Sequence, residues 1–224
     1  MTKDFPKPLL TIKGRTILDS ILEDVDSFPE IEKHVVVTNH KFFHHFENWK
    51  ASVHYSKPLE IIDDGSVDNE HRVGAVRDLL LAVNATGADG DYMVLAADNL
   101  LDFSLKGFVE YFFSKGTSVI MRHHEPSLKA LQRTGVVCID DDEKVLLMEE
   151  KPQEPKSSWA VPPFYIYSGK DMPLILGCVE NGCGFDAPGN LAHYLCGHSE
   201  VHAWKMPGNR IDIGDLETYE KMQK

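Results

Sequence analysis

Residues 92–99 read Tyr-Met-Val-Leu-Ala-Ala-Asp-Asn, the most strand-like run in the chain, closed abruptly by a carboxylate and an amide. A short continuous apolar run is what a strand buried on both faces requires, and a helix is expected to follow from near Leu105. In open sheets covered by helices, ligands gather beyond the carboxyl ends of the strands, so the Asp98 carboxylate stands where a site would form. Asp98 and Asn99 are also good helix caps, and on local grounds that reading competes.

The same alternation continues on either side. Toward the N-terminus, residues 15–25 place Ile17, Leu18, Ile21, Leu22 and Val25 on one helical face, and residues 34–38 follow as a short strand. Asn39 can cap a helix with Phe42, Phe43, Phe46 and Trp49 on one side. A further strand falls at 53–56 or 59–62, before the turn Asp63-Asp64-Gly65-Ser66, and residues 73–83 read as another helix. Toward the C-terminus, strands are predicted at 117–121, 135–139, 145–148, 164–167 and 201–205, with a helix from Leu216. The pattern predicts an α/β protein with a mostly parallel, helix-covered sheet. Residues 1–224 read as a single domain, with 151–158 as an internal loop.

Composition sets limits on function. The chain has 224 residues, 42% of them hydrophobic and 26% charged, which excludes a disordered tail or a fibre. A formal net charge of −12 argues against a general nucleic-acid binder, because neutralising phosphates takes a basic stripe. Small anions remain candidates if a few cations converge. No apolar run approaches the roughly 20 residues of a membrane helix, and the charged, proline-bearing start is unlike a secretory signal, so a soluble cytoplasmic protein is expected. Cys138, Cys178, Cys183 and Cys196 show no disulfide pattern and are expected as free thiols. Cys178, Cys183, Cys196, His193 and His198 raise zinc, but their spacing is irregular for a structural site.

Four short segments present charge at the ends of apolar elements. In residues 3–10, Lys7 lies between Pro6 and Pro8, which restrict the backbone and lower the entropy cost of aiming an ammonium group at an anion; the alternative is a solvated lysine. The second is the run ending in Asp98-Asn99. The third, Glu149-Glu150-Lys151-Pro152, either alternates a carboxylate and an ammonium across a strand or bends at the proline so that both face one pocket, with a surface ion pair as the alternative. The fourth, Arg210-Ile211-Asp212-Ile213-Gly214-Asp215, sets Asp212 between apolar residues, where alternation would bury it at a cost unless a cation lies opposite. Asp215 reads as a cap. Asp98 and Asp212 together would make a two-carboxylate, oxygen-donor magnesium site.

In this order the four segments resemble the sugar-nucleotide nucleotidyltransferases, the family that includes glucose-1-phosphate thymidylyltransferase, over essentially the whole chain. The resemblance implies a Rossmann-like three-layer sandwich. It implies magnesium-dependent transfer of a nucleotidyl group, with dTTP favoured, to a sugar 1-phosphate, releasing pyrophosphate without a covalent enzyme intermediate. Pro6-Lys7-Pro8-Leu9 is similar to the family's Pro-Lys-Pro-Leu, which makes Lys7 the catalytic phosphate-binding lysine. Asp98 and Asp212 would be the metal ligands, the first from a Gly-Asp-Asn motif in which Ala97 replaces glycine, the second from Trp-x-Asp-x-Gly. Gly135-Val136-Val137 and Glu150-Lys151-Pro152 are similar to the motifs of the sugar pocket. Glu150 would hold sugar hydroxyls and Lys151, the second catalytic residue, the sugar phosphate. Gly74 matches either the glycine beside the base or a helix-packing glycine. A homo-oligomer is implied, with no interface readable.

Two departures qualify the match. The family's first strand and phosphate loop, Gly-x-Gly-Thr-Arg-Leu, do not occur in this sequence, and Pro162-Pro163 stand where Thr-Gly is common. The first of these reads either as a truncated start or as loss of nucleotidyl transfer, and the latter favours a rival, a catalytically silent domain binding a sugar phosphate or a protein partner. Retention of Lys7, Asp98, Lys151 and Asp212 favours the enzyme.

Overall fold

Local chemistry accounts for most element boundaries in the computed structural model, which describes residues 4–68 and 71–223. Lys3, the start of the first charged segment, lies outside them. Strands β1 (Thr11–Ile12) and β2 (Arg15–Thr16) form a hairpin. Its turn residues Lys13 and Gly14 have φ of 49° and 85°, the two left-handed conformations that a type I′ turn demands. Thr16 then caps α1 (Ile17–Asp26) through a capping box with Asp19. After β3 (His34–Thr38), Asn39 accepts from the Phe42 amide at 3.0 Å and caps α2 (His40–Ser52). Then come β4 (Leu59–Asp63), the second of the two alternatives above, α3 (Ala75–Thr86), β5 (Tyr92–Leu95), β6 (Asn99–Leu101), α4 (Lys106–Lys115), β7 (Ser118–His124) and α5 (Leu128–Leu131). Strands β8 (Gly135–Ile139), β9 (Val145–Glu150), β10 (Trp159–Val161) and β11 (Phe164–Tyr167) precede α6 (Met172–Leu176) and α7 (Gly189–Cys196). The chain closes with β12 (Val201–Lys205), β13 (Arg210–Asp212) and α8 (Leu216–Gln223).

These elements fall into two compact units, one made of Met1–Arg72, Ala96–Lys106 and Pro207–Lys224, the other of Val73–Leu95 and Gly107–Met206. In the first, β3 and β4 pair in parallel, joined by α2 as a crossover helix. β6 pairs antiparallel with β13, which sets Asp212 opposite Asn99. The buried face of α1 is Ile17, Leu18, Ile21, Leu22 and Val25, as its period predicts. Ile17 packs with Ile12 and Ile213, so the strand carrying Asp212 is anchored to the start of that helix.

The second unit is built on a seven-stranded sheet of order β5-β11-β7-β10-β8-β9, with β12 on the other edge of β7. Pro162 and Pro163, which have no N–H to donate, interrupt what would otherwise be one strand, and the sheet forks there. Both halves pair with β7, but on their other edge β10 pairs with β8 while β11 pairs with β5. Tyr165, Tyr167, Val137, Leu191 and Leu195 fill the core on which α7 packs.

The α/β class is observed. The expectation of a mostly parallel sheet is not, for only β3 with β4 and β12 with β7 are parallel among the described pairings. The reason is connection length. β8 and β9 are joined by a tight turn in which Asp140 accepts from the amides of Asp142 and Lys144, and such a turn permits only antiparallel pairing. The cap reading of Asp98-Asn99 also fails, because α4 begins at Lys106 and Asn99 instead enters β6.

Candidate functional site

Lys7 opens a 3-10 turn (Lys7–Leu9) entered from Pro6 in extended conformation, and its ammonium donates to the Gly214 carbonyl at 2.9 Å. That bond spans almost the whole sequence and makes Lys7 a fixed, half-buried cation instead of a solvated tail residue. Asp98 ends the loop after β5, where its carbonyl accepts from the Ile213 amide at 2.9 Å. Lys7, Asp98 and the segment around Asp212 therefore converge from three distant parts of the chain.

A cavity of about 340 Å³ lies against Lys7 and Asp98, lined also by Pro6, Pro8 and Ala97 with Val37, Thr38, Phe42 and Phe46. Val37 and Thr38 end β3, so the cavity lies at the carboxyl end of a parallel strand, as the position of Asp98 led us to expect.

Burial, and next the neighbouring Asp212 carboxylate, push the Asp98 pKa upward, while Lys7 and Arg210 oppose the rise. A buried carboxylate whose charge a second carboxylate disfavours makes with it a hard-oxygen donor pair that a divalent cation would relieve, and on this ground the residues fit magnesium. Among the described residues no group of three or more His, Cys, Asp or Glu could hold a metal. A cation here would therefore complete its shell with water and phosphate oxygens. Asp212 is exposed, contrary to the expected burial, because it is the last residue of β13 and only its neighbour Ile213 turns into the core.

Sequence reasoning missed two supports of this site. Asn99 is fully buried, and its amide donates to the Ala96 carbonyl at 3.1 Å and to Asp98 Oδ1 at 2.9 Å, fixing the loop that carries the carboxylate. Its Oδ1 accepts from the Arg210 guanidinium. An Asn directly after a strand-ending Asp was the available signal, and it was spent on the cap reading.

The second unit holds the other candidates. Gly135 stands opposite both Glu150 and Val161 in the ladders of β8. β9 runs two residues further than predicted, so Glu150 is its last residue. Lys151 then takes φ 52°, a left-handed conformation uncommon for a side-chain-bearing residue and found where surroundings over-determine it. Its amide donates to the Thr134 carbonyl at 3.0 Å. Pleat alternation thus ends at Glu150, and Lys151 is close enough to oppose the rise that burial imposes on the Glu150 pKa. The ion pair in this segment is Glu149 with Lys156 at 3.4 Å, which leaves Glu150 out of it.

Gly74, with φ 99°, precedes α3. A Cβ there would meet the Phe185 carbonyl oxygen at 2.5 Å. The first amides of α3, on Ala75 and Val76, donate to the carbonyls of Asp186 and Phe185. These contacts are those of a packing glycine. Gly74→Ala is expected to cost about 1–3 kcal/mol of stability, read as a lowered melting temperature; an unchanged melting temperature would free Gly74 for another role.

In the same unit Cys178 and Cys183 are buried free thiols, and burial raises both pKa values, Cys183 to about 12. His193 and His198 each bond through Nδ1 to a backbone carbonyl, of Met148 and Tyr194.

Comparison with known proteins bears on the family and the fold. The family model described as nucleotidyl transferase matches residues 1–224. The chain is 24% identical to the bifunctional protein GlmU of Methanocaldococcus jannaschii, over 96% of the chain and 47% of that protein. It is 23% identical to the UTP–glucose-1-phosphate uridylyltransferase of Synechocystis sp., over 98% of the chain and 57% of the relative. The chain thus spans about half the length of these curated relatives. The structure of a UDP-glucose pyrophosphorylase complexed with UDP-glucose superimposes with a TM-score of 0.80 at 17% identity, covering 99% of this chain and 90% of that one. A UDP-glucose pyrophosphorylase from Acinetobacter baumannii gives 0.75 at 19% identity, covering 99% and 85%. No helix among the described residues is long and apolar enough to cross a membrane.

Proposed function

The chain belongs to the nucleotidyl transferase family, and from that premise we propose that it catalyses magnesium-dependent transfer of a nucleotidyl group from a nucleoside triphosphate to a sugar 1-phosphate. The observation that carries the proposal is the convergence of Lys7 and Asp98 on one cavity, with the Asp212 carboxylate near enough to raise the Asp98 pKa, a cation and two carboxylates drawn from distant parts of the chain.

In the proposed reaction an oxygen of the sugar 1-phosphate attacks the α-phosphorus of the triphosphate. The new P–O bond forms as the bond to the β-phosphate bridging oxygen breaks, and pyrophosphate leaves with the electron pair. Asp98 and Asp212 would hold the magnesium ion, which supplies Lewis-acid stabilisation of phosphate charge when bound. Lys7 neutralises charge on the phosphate oxygens, and its bond to Gly214 orients it before substrate arrives. Asn99 keeps Asp98 in one orientation, and Arg210 holds Asn99. In the second unit, Gly135 leaves room for the Glu150 carboxylate, which would accept from sugar hydroxyls, and Lys151 would bind the sugar's phosphate. The task of these residues is positioning and electrostatic stabilisation, with no nucleophile from the protein.

The sequence resemblance favours dTTP, while the relatives' names include uridylyl and adenylyl transfer. A calorimetric panel of dTTP, UTP, ATP and CTP with magnesium, repeated with glucose 1-phosphate, tests base and sugar together. Lys151→Ala is expected to weaken glucose 1-phosphate binding about tenfold or more while leaving triphosphate binding unchanged. Equal loss of both would contradict the division of labour.

A further inference from the structure

The Glu150 carboxylate lies in a niche made by two glycines. A Cβ on Gly135 would come within 3.2 Å of Glu150 Oε2 and 2.9 Å of Met148 Cε. A Cβ on Gly189, the first residue of α7, would land on the same Oε2 and stand 2.7 Å from Glu150 Cδ. Neither glycine has a positive φ. At Gly189 alanine would be the better helix former, so what glycine provides there is space, not conformation.

One turn along α7, on the same face, His193 donates from Nδ1 to the Met148 carbonyl at 2.6 Å, two residues before Glu150 on β9. Lys151 and His193 face Glu150, and both oppose the rise that burial imposes on its pKa. Among the described residues its carboxylate accepts no hydrogen bond, so its lone pairs are available to a ligand. A site built to accept from a hydroxyl discriminates strongly against an analogue that lacks it.

We infer that Gly189 and His193 of α7 determine sugar specificity, Gly189 by giving Glu150 room to lie at full length against the helix and His193 by holding the strand end beneath it. The inference rests on the sugar-binding role proposed above for Glu150. Gly189 and His193 are positioning residues, acting on the substrate through Glu150. The atom an alanine methyl would strike is the far end of a flexible side chain, so the fold can absorb Gly189→Ala by moving that carboxylate.

The test is calorimetric titration of the intact chain with glucose 1-phosphate and its monodeoxy analogues, with triphosphate titrated in parallel. In the wild type, one deoxy analogue is expected to bind about 10- to 100-fold more weakly than glucose 1-phosphate, the value of a hydrogen bond to a charged group. Gly189→Ala is expected to erase that discrimination and weaken glucose 1-phosphate by a similar factor, with triphosphate binding and melting temperature unchanged. Glu150→Asp, whose shorter side chain clears the methyl, is expected to weaken the wild type but not the Gly189→Ala background. His193→Ala, which removes the donor to the Met148 carbonyl, is expected to weaken glucose 1-phosphate and shrink the deoxy discrimination with triphosphate binding unchanged, while His193→Asn, which keeps a donor, restores both; this pair tests the inference should Gly189→Ala misfold. Unchanged discrimination in Gly189→Ala, or additive losses in the double variant, overturns the inference and leaves the function standing. A wild type that binds triphosphate but no sugar phosphate overturns both.

Discussion

Asp98→Asn is expected to abolish cation-dependent turnover and, in the same variant, to raise the melting temperature. The two effects have one cause. Burial and the Asp212 carboxylate raise the folded-state pKa of Asp98 above its ordinary value. A carboxyl group so raised favours folding only where it is protonated, below its unfolded pKa, and that contribution is lost as pH rises through the folded pKa. At neutral pH the ionised Asp98 is therefore a net cost to the fold, and an asparagine removes it while keeping shape. Function needs the opposite protonation state, because a cation is held only by the ionised pair. Pyrophosphate release is expected to fall by at least about 10²–10³-fold. Added magnesium should raise the melting temperature of the wild type and not that of the variant, since only a bound ligand stabilises by mass action. Retained turnover, or a variant that melts lower than the wild type without cation, would remove the metal assignment.

Lys7→Met carries the second large effect. The side chain keeps its length and apolar stem, so the turn set by Pro6 and Pro8 should survive, with loss of one partly exposed bond to the Gly214 carbonyl. What disappears is the cation lining the cavity beside Asp98. Loss of one preorganised charge at developing phosphate charge costs about 10²–10³ in kcat, and Lys7→Arg should restore little, because a planar fork does not replace a point charge aimed through a fixed turn. Full activity in Lys7→Met would return Lys7 to the solvated lysine weighed at the outset.

How much of this was legible in the sequence depended on the range of the interaction. Local signals were read well. The period of α1, the Asn39 cap of α2, the Asp215 cap of α8, whose side chain accepts from the Thr218 amide at 2.8 Å, and the strand end at Lys205 are all properties of a few consecutive residues. Pairing was not. Nothing local in residues 159–167 tells that β10 and β11 share β7 on one side and then diverge to β8 and β5 on the other, although Pro162-Pro163 marks the place where one strand must stop donating. α7 went unread because its glycine start gives no capping signal. The partnership of Lys7 with Gly214, and of Asn99 with Arg210, spans more than a hundred residues each and is visible only once β6 and β13 are side by side.

The measurement that tests the account most directly is pyrophosphate release by the chain given glucose 1-phosphate, each of the four triphosphates in turn, and magnesium. The account predicts release with at least one triphosphate, dependent on the sugar phosphate and on magnesium, and absent from Asp98→Asn. Binding of a sugar phosphate without pyrophosphate release under any pairing would contradict it, and would make the chain a catalytically silent relative of the enzymes it resembles.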